Sequence, residues 1–459
     1  MTDGNLLQGM RARFFLYLTA IVNRNEYTSR LSRFIINNPL YRGVLILGSG
    51  TAVAQLIGIV AMPIITRLYT PADMGILAVY SSILAIFGIG AIFSYQFAYA
   101  LPERNEDAIN LFGLSLILLC ITTAAFSLIL LFGKDLLINV FDLDVIEQYI
   151  WFLLIGFFGM GLYTMLNYWA IRQKDYGRIT YTKINQGTWG SACKILLGIF
   201  SFGPLGLILG HIVSQIAGIG TFARAMWRRD RDYFKAISLN RMKGVAKTYK
   251  KFPVFDFPST IVNRMSLELP PLMLLVLYGS DVVGFYALAN ILVVLPGSLI
   301  SGSMGQAYLG EASEMIRKRS QGLQSLYVRT LKHLFVIAVP LIGISALCAP
   351  FVVPFIFGGA WVEAGWYCWP LALAAIAGFA VSPTSFLSIY GYNHWQLVWD
   401  TGRVVLALLG FYISHTLGFS VLVTLLVYSI VVVSMNYILI VLNIKAISNI
   451  LDPSSQGES

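Results

Sequence analysis

The chain has 459 residues, of which 57% are hydrophobic and only 12% charged. A soluble globular protein carries about 25% charged residues, so an ordinary water-soluble fold is excluded. The formal net charge of +10 would suit nucleic acid, but its placement in loops between apolar runs assigns it to membrane topology and leaves no nucleic-acid partner.

Taken in chain order, the first 42 residues precede any long apolar run. Phe14, Leu18, Ile21 and Val22 share one helical face behind Arg11 and Arg13, and no small-residue cleavage site follows. This reads as an amphipathic helix lying on the cytoplasmic membrane surface. Met10 offers a second start, which leaves translation of residues 1–9 open. Apolar runs then recur at about 43–66, 74–100, 109–132, 148–172, 178–201 and 205–226, and again at 252–277, 282–306, 328–348, 363–389, 395–417 and 420–444. Each is long enough to cross a hydrocarbon core of roughly 30 Å. The runs are solidly apolar where barrel strands would alternate, so they predict helices. The fold class is an all-α polytopic membrane protein of about twelve transmembrane helices. A basic stretch, 227–251, divides 43–226 from 252–444, and 445–459 forms a tail.

The loop charges set the orientation. Roughly 24 loop lysines and arginines lie on one side, against Arg67 and Lys134 on the other, which predicts cytoplasmic termini. In the linker, Met242, Val245, Ala246 and Tyr249 repeat at helical spacing among five basic residues. That pattern suits a helix resting on anionic lipid. The longest outer loops are expected at about 133–147 and 349–362.

The halves echo one another. Leu68, Tyr69, Gly75 and Ala78 match Leu277, Tyr278, Gly284 and Ala287 at a constant shift of 209 residues. Thr70 and Pro71 before Asp73 read as a helix cap and a first-turn proline, and Asp281 suits the start of the matching helix. Such duplication favours a carrier whose path runs between the halves.

A charge at mid-bilayer costs about 2.5–3.5 kcal/mol, so each one needs a reason. Lys183 and Lys194 fall on one face of the fifth run with Gln186, Gly187, Gly190 and Ser191. Lys183 can snorkel to the surface, whereas Lys194 lies deeper and points to a water-filled path. Arg264 and Glu268 form an i,i+4 pair in a run punctuated by Pro253, Pro258, Pro270 and Pro271, which predicts a bent helix. Asp400 and Arg403 form a further pair beside Gln396. Either pair can be a self-neutralising structural pair or part of a site. The 209-residue shift makes Gln55 the counterpart of Arg264. The deep charges sum to a positive balance, which suits an anionic head group. The four cysteines and four histidines show no metal-ligand spacing.

The run TRLYTPADMG, from Thr66 to Gly75, resembles the opening of bacterial Wzx-type oligosaccharide-lipid flippases, as do the stretches Ala98–Leu116, Leu166–Arg178, Pro204–Gln215 and that from Lys251 through the second half. The resemblance implies two six-helix lobes around a central cavity, within the multidrug/oligosaccharidyl-lipid/polysaccharide exporter superfamily. It implies an inner-membrane flippase, not an enzyme, that moves undecaprenyl-pyrophosphate-linked O-antigen or exopolysaccharide units outward by alternating access. On that reading Lys183, Lys194, Arg264, Arg403 and Gln55 bind substrate, and Glu268 and Asp400 serve ion coupling. No cofactor is expected beyond a coupling proton or sodium ion. The expected partners are the lipid-linked oligosaccharide, membrane lipids and a periplasmic polymerase machinery, around a monomeric carrier. The alternatives are a small-molecule exporter of the same fold and a membrane polymerase or glycosyltransferase of the same pathway.

Overall fold

The computed structural model describes residues 39–141, 144–317, 322–387 and 389–451, and every regular element among them is helical. The surface helix expected around Phe14–Val22 lies outside the described residues. The first half comprises α1 (Pro39–Leu68), α2 (Pro71–Gly88), α3 (Asn105–Phe141), α4 (Phe152–Arg172), α5 (Tyr176–Ile199), α6 (Pro204–Ile216) and α7 (Ile219–Asp230). A short α8 (Leu239–Thr248) leads to the second half: α9 (Phe257–Tyr278), α10 (Ser280–Arg317), α11 (Leu323–Phe357), α12 (Val362–Val381), α13 (Asn393–Thr416) and α14 (Val421–Leu451).

Eleven stretches among the described residues are long and apolar enough to cross a membrane. The expected run that does not qualify is α5, although its 24 residues would rise about 36 Å at 1.5 Å per residue. Lys183, Gln186 and Lys194 depress its hydropathy, and the protein compensates by packing α5 between α1 and α6. A methyl at Gly187 would meet the Ala54 carbonyl oxygen of α1 at 2.9 Å, and one at Gly190 the Gly210 carbonyl oxygen of α6 at 3.3 Å. The glycines of this face therefore serve close helix packing, as small residues do in membranes. Lipid-facing surfaces lie elsewhere, at side chains such as Phe132 and Phe355, exposed by 83% and 85%.

Two runs and the outer loops differ from the expectation. The run 74–100 is not one helix: α2 stops at Gly88, and 3-10 turns follow at Ile89–Ala91 and Tyr95–Ala100. Arg172 makes this break tolerable by donating to the carbonyls of Tyr99 at 2.8 Å and Pro102 at 2.9 Å. The run 205–226 breaks at Gly218, whose φ of 128° favours glycine. The expected outer loops are largely helical, because α3 continues to Phe141 and α11 to Phe357.

The linker expectation needs correcting. The apolar face of α8 rests on protein, not on lipid. Met242 and Val245 are buried, and Met242 lies against Gly113 of α3. Tyr95 donates to the Ala246 carbonyl at 3.3 Å, and Arg241 pairs with Glu106. The basic side chains Lys243, Lys247 and Lys251 remain exposed.

The helices gather into two bundles, α1–α7 and α9–α14, the latter built around α12. Between them, α2 packs against both α10 and α9. The capping box at the start of α2 is formed: Asp73 N–H donates to Thr70 Oγ1 at 3.2 Å, and Thr70 N–H donates to Asp73 Oδ2 at 2.9 Å. At this end, remote from α8, α1 also meets the second bundle. Trp361 Nε1 donates to the Thr66 carbonyl at 2.8 Å, and Arg67 reaches the Ile356 carbonyl at 3.5 Å. The bundles are thus joined at the far end. By the 209-residue shift, α10 against α1 is the counterpart of α2 against α9, yet among the described residues those helices show no comparable packing.

The docking of α8 is testable. Met242→Ala should cost about 2–5 kcal/mol, as buried methionine truncations do, and lower the thermal midpoint of the purified protein in detergent. Lys243→Ala on the exposed side should leave that midpoint unchanged.

Candidate substrate pathway

The deep polar residues form three groups. The first lies at the seam between the bundles. Arg264 and Glu268 pair at 3.1 Å on α9, and Glu268 Oε2 also accepts from Ser82 Oγ of α2 at 2.8 Å. The carboxylate therefore ties one bundle to the other. Arg264 is 45% exposed and Glu268 19%, so the cation faces open space while the anion is turned into the packing. A π-helical turn at Phe252–Asp256 starts this span, and Pro270 and Pro271 lie buried inside α9. Two adjacent prolines withhold two backbone donors from the helical ladder.

The second group lies inside the first bundle. Lys194 runs beside Gly210 of α6, where a methyl would meet the Lys194 backbone nitrogen at 3.0 Å. The next residue, His211, has its Nε2 3.4 Å from Gln215 Nε2 and its ring edge-on to Tyr80 at 6.0 Å. Gln186 donates to the Gln215 carbonyl at 3.4 Å. Gln55 Oε1 is buried without a partner. Lys183 stands 5.2 Å over the Tyr163 ring, a cation–π contact that stabilises the charge inside the bundle.

The third group lies inside the second bundle. Asp400 is 4% exposed and accepts from Gln396 at 3.1 Å, from Arg403 at 3.4 Å and from Asn263 of α9 at 3.5 Å. Arg403 also covers the Trp399 ring at 4.5 Å, and its Nε–H is buried without a partner. This group holds its own charge balance.

The structure thus brings Arg264 together with Glu268, and Asp400 with Arg403, and keeps Lys183 and Lys194 in the opposite bundle. Four participants escaped the sequence reading. Ser82 is an unremarkable serine in an apolar run, and nothing local announces its partner 186 positions away. Trp399 is one aromatic among many. His211 and Gln215 did leave a signal, an i,i+4 polar pair within an apolar helix.

Residues 64–365 match the family model described as "Polysaccharide biosynthesis protein". This chain belongs to that polysaccharide biosynthesis family. A relative in Bacillus subtilis (strain 168), "Teichuronic acid biosynthesis protein TuaB", is 23% identical over 250 residues, which cover 52% of this chain and 51% of the relative. The match spans about half the length of that curated relative. The fold is similar to "Lipid II flippase MurJ, inward closed conformation", with a TM-score of 0.65 at 12% identity over 89% of this chain and 90% of that one. It is also similar to a multidrug resistance MATE family transporter of the MOP superfamily. The TM-score is 0.60 for an inward-facing conformation at 15% identity, covering 89% and 96% of the chains. It is 0.53 for an outward-facing one at 17% identity, covering 93% and 98%. These neighbours are a flippase and a multidrug transporter, and this chain is a multi-pass helical membrane protein of the polysaccharide biosynthesis family.

The buried Asp400–Arg403 pair makes a stability prediction. Asp400→Ala leaves the guanidinium uncompensated and should cost about 3–5 kcal/mol. Replacing both members with leucine should recover most of that loss, read as the thermal midpoint in detergent.

Proposed function

We propose that the protein is a flippase for undecaprenyl-pyrophosphate-linked oligosaccharide repeat units, of the O-antigen or exopolysaccharide kind, in a bacterial inner membrane. Both termini are cytoplasmic, and the units pass to the periplasmic leaflet for a polymerase machinery. The observation that carries this reading is Arg264: a half-exposed guanidinium in the seam between two bundles, held by a carboxylate that also grips the opposite bundle. A pyrophosphate is a better bidentate partner for arginine than a single carboxylate oxygen. Its arrival would draw Arg264 away from Glu268 and weaken the hold of Glu268 on Ser82. The head group thereby acts on the element that joins the bundles, as a ligand must if it is to shift a conformational equilibrium.

The other cations take graded roles. Lys194, Lys183 and Gln55 supply the first bundle's polar interior, and Arg403 offers its unsatisfied Nε–H in the second. Glu268, once released from Arg264, is the group to take up a coupling proton or pair with sodium. Asp400 is the secondary candidate, because three donors already occupy it. The prenyl tail stays in lipid and leaves the path along the α1–α10 side, where the bundles do not pack as they do between α2 and α9. The carrier works as a monomer with no resident cofactor.

Arg264→Ala and Lys194→Ala should each abolish flipping of the lipid-linked oligosaccharide in proteoliposomes while the protein still inserts. Full activity of both variants would sink the assignment. Topology has its own measurement. In a cysteine-free background, an impermeant maleimide applied to spheroplasts should label a cysteine at position 134 and spare one at 243, and the reverse pattern would invert the orientation.

A further inference from the structure

The strongest part of the internal echo falls where the bundles touch at the far end. A methyl at Gly75 of α2 would overlap the Ser280 carbonyl of α10, with its carbon only 2.8 Å away and Gly284 N at 3.1 Å. A methyl at Gly284 of α10 would overlap the Pro71 carbonyl of α2, its carbon at 2.7 Å and its Cα at 3.1 Å. Gly75 and Gly284 are counterparts at the 209-residue shift, and so are Pro71 and Ser280. The contact is therefore its own mirror image. The first turn of each helix lies on the glycine of the other, backbone against backbone. No flexible side chain stands between them to give way.

We infer that this reciprocal glycine contact is the latch of the state closed at the far end, required in that state and absent from the other. The inference rests on the alternating-access reading. If the path is to open at the far end, the first turns of α2 and α10 must separate, together with the Trp361–Thr66 and Arg67–Ile356 bonds beside them. The latch suits that task physically. It consists of van der Waals contact between neutral backbones, so it fits tightly but breaks without stranding a charge. An added methyl cannot be absorbed by rotamer change, because the obstructing atoms are carbonyl groups in helices. The same methyl meets nothing once the helix ends have parted. Alanine at either position therefore excludes one state and leaves the other intact.

The test measures distances and needs no substrate, so its outcome is separable from that of the flippase assignment. With the native cysteines replaced, nitroxide labels are placed at the exposed positions Phe202 and Thr416, at the far ends of the two bundles. A second pair sits at Arg228 and His394, at the opposite ends. Pulsed electron–electron resonance in nanodiscs should show a short far-end distance in the parent protein. In Gly75→Ala and, independently, in Gly284→Ala, that population should be lost, the far-end distance lengthened and the opposite distance shortened. Gly58→Ala, where a methyl meets no atom within 4 Å, should keep the parent distances. Retention of the short far-end distance in both glycine variants overturns the proposal. So does failure of both to accumulate as folded protein, since a contact needed in only one state must not be needed for folding.

Discussion

Water is absent at membrane depth, and that one constraint arranges the interior of this protein. Most buried polar groups find their partners within the helices, and Gln55 Oε1 and the Arg403 Nε–H stand out as buried atoms left without one. The outcome is three separate polar groups in place of a single charged lining. Asp400 is satisfied by Gln396, Arg403 and Asn263. Lys183 settles over Tyr163, and Glu268 is shared between Arg264 and Ser82. Helix α9 belongs to two of these groups, since Asn263 reaches into the second bundle while Glu268 reaches α2. Rotation or straightening of α9 would disturb both sets of bonds together. The proline pair lies on the same helix, two and three residues beyond Glu268, and withholds two donors from the backbone ladder there.

The two halves are equivalent in sequence echo but not in packing. Helix α2 packs against α9, whereas the counterpart pair α10 and α1 shows no comparable packing among the described residues. The sequences facing each seam account for this. Ser82 gives α9 a hydrogen-bond partner on α2, while its counterpart at the 209-residue shift is Ile291 of α10. Glu268 in turn has Ile59 of α1 as counterpart, and Ile59 is exposed at 42%. One seam therefore carries a polar bond. The other presents apolar side chains that lipid satisfies as well as protein does. The two seams thus differ at positions that match in the sequence echo, in the kind of group that decides helix association in membranes.

Much of this was legible in the chain itself. The twelve runs, the cap at Thr70–Asp73 and the i,i+4 pair at Arg264–Glu268 all rest on local chemistry, which the sequence carries in full. The echo around Gly75 and Gly284 was legible as repetition, although its meaning, a backbone crossing between bundles, was not. What escaped depends on partners distant in sequence. Ser82 could not be distinguished from any other serine in an apolar helix without α9 beside it. The face of α8 was misassigned for a related reason. Met242 and Val245 require an apolar surface, and periodicity cannot say whether lipid or α3 provides it. The glycines of α5 read as part of a polar face, when their role is to admit the backbones of α1 and α6.

The two interbundle contacts differ in kind, and on the flippase reading proposed above the difference would order the events of a cycle. The seam at Glu268 is charge-assisted and turned away from open space, so it holds until another charged group competes for Arg264. The far-end crossing at Gly75 and Gly284 is neutral and depends on fit alone. Its strength falls away within an ångström or so of separation. A signal that loosens the seam need therefore move α2 only slightly before the crossing ceases to hold. The bonds of Thr66 and Arg67 to the second bundle are then left to keep the far end shut. Both join main-chain carbonyls to side chains, the Trp361–Thr66 bond buried and the Arg67–Ile356 bond exposed, and water can replace them once the helices part. On that reading the buried, charged contact would set when the protein changes state. The neutral, close-fitting one would set which state it rests in.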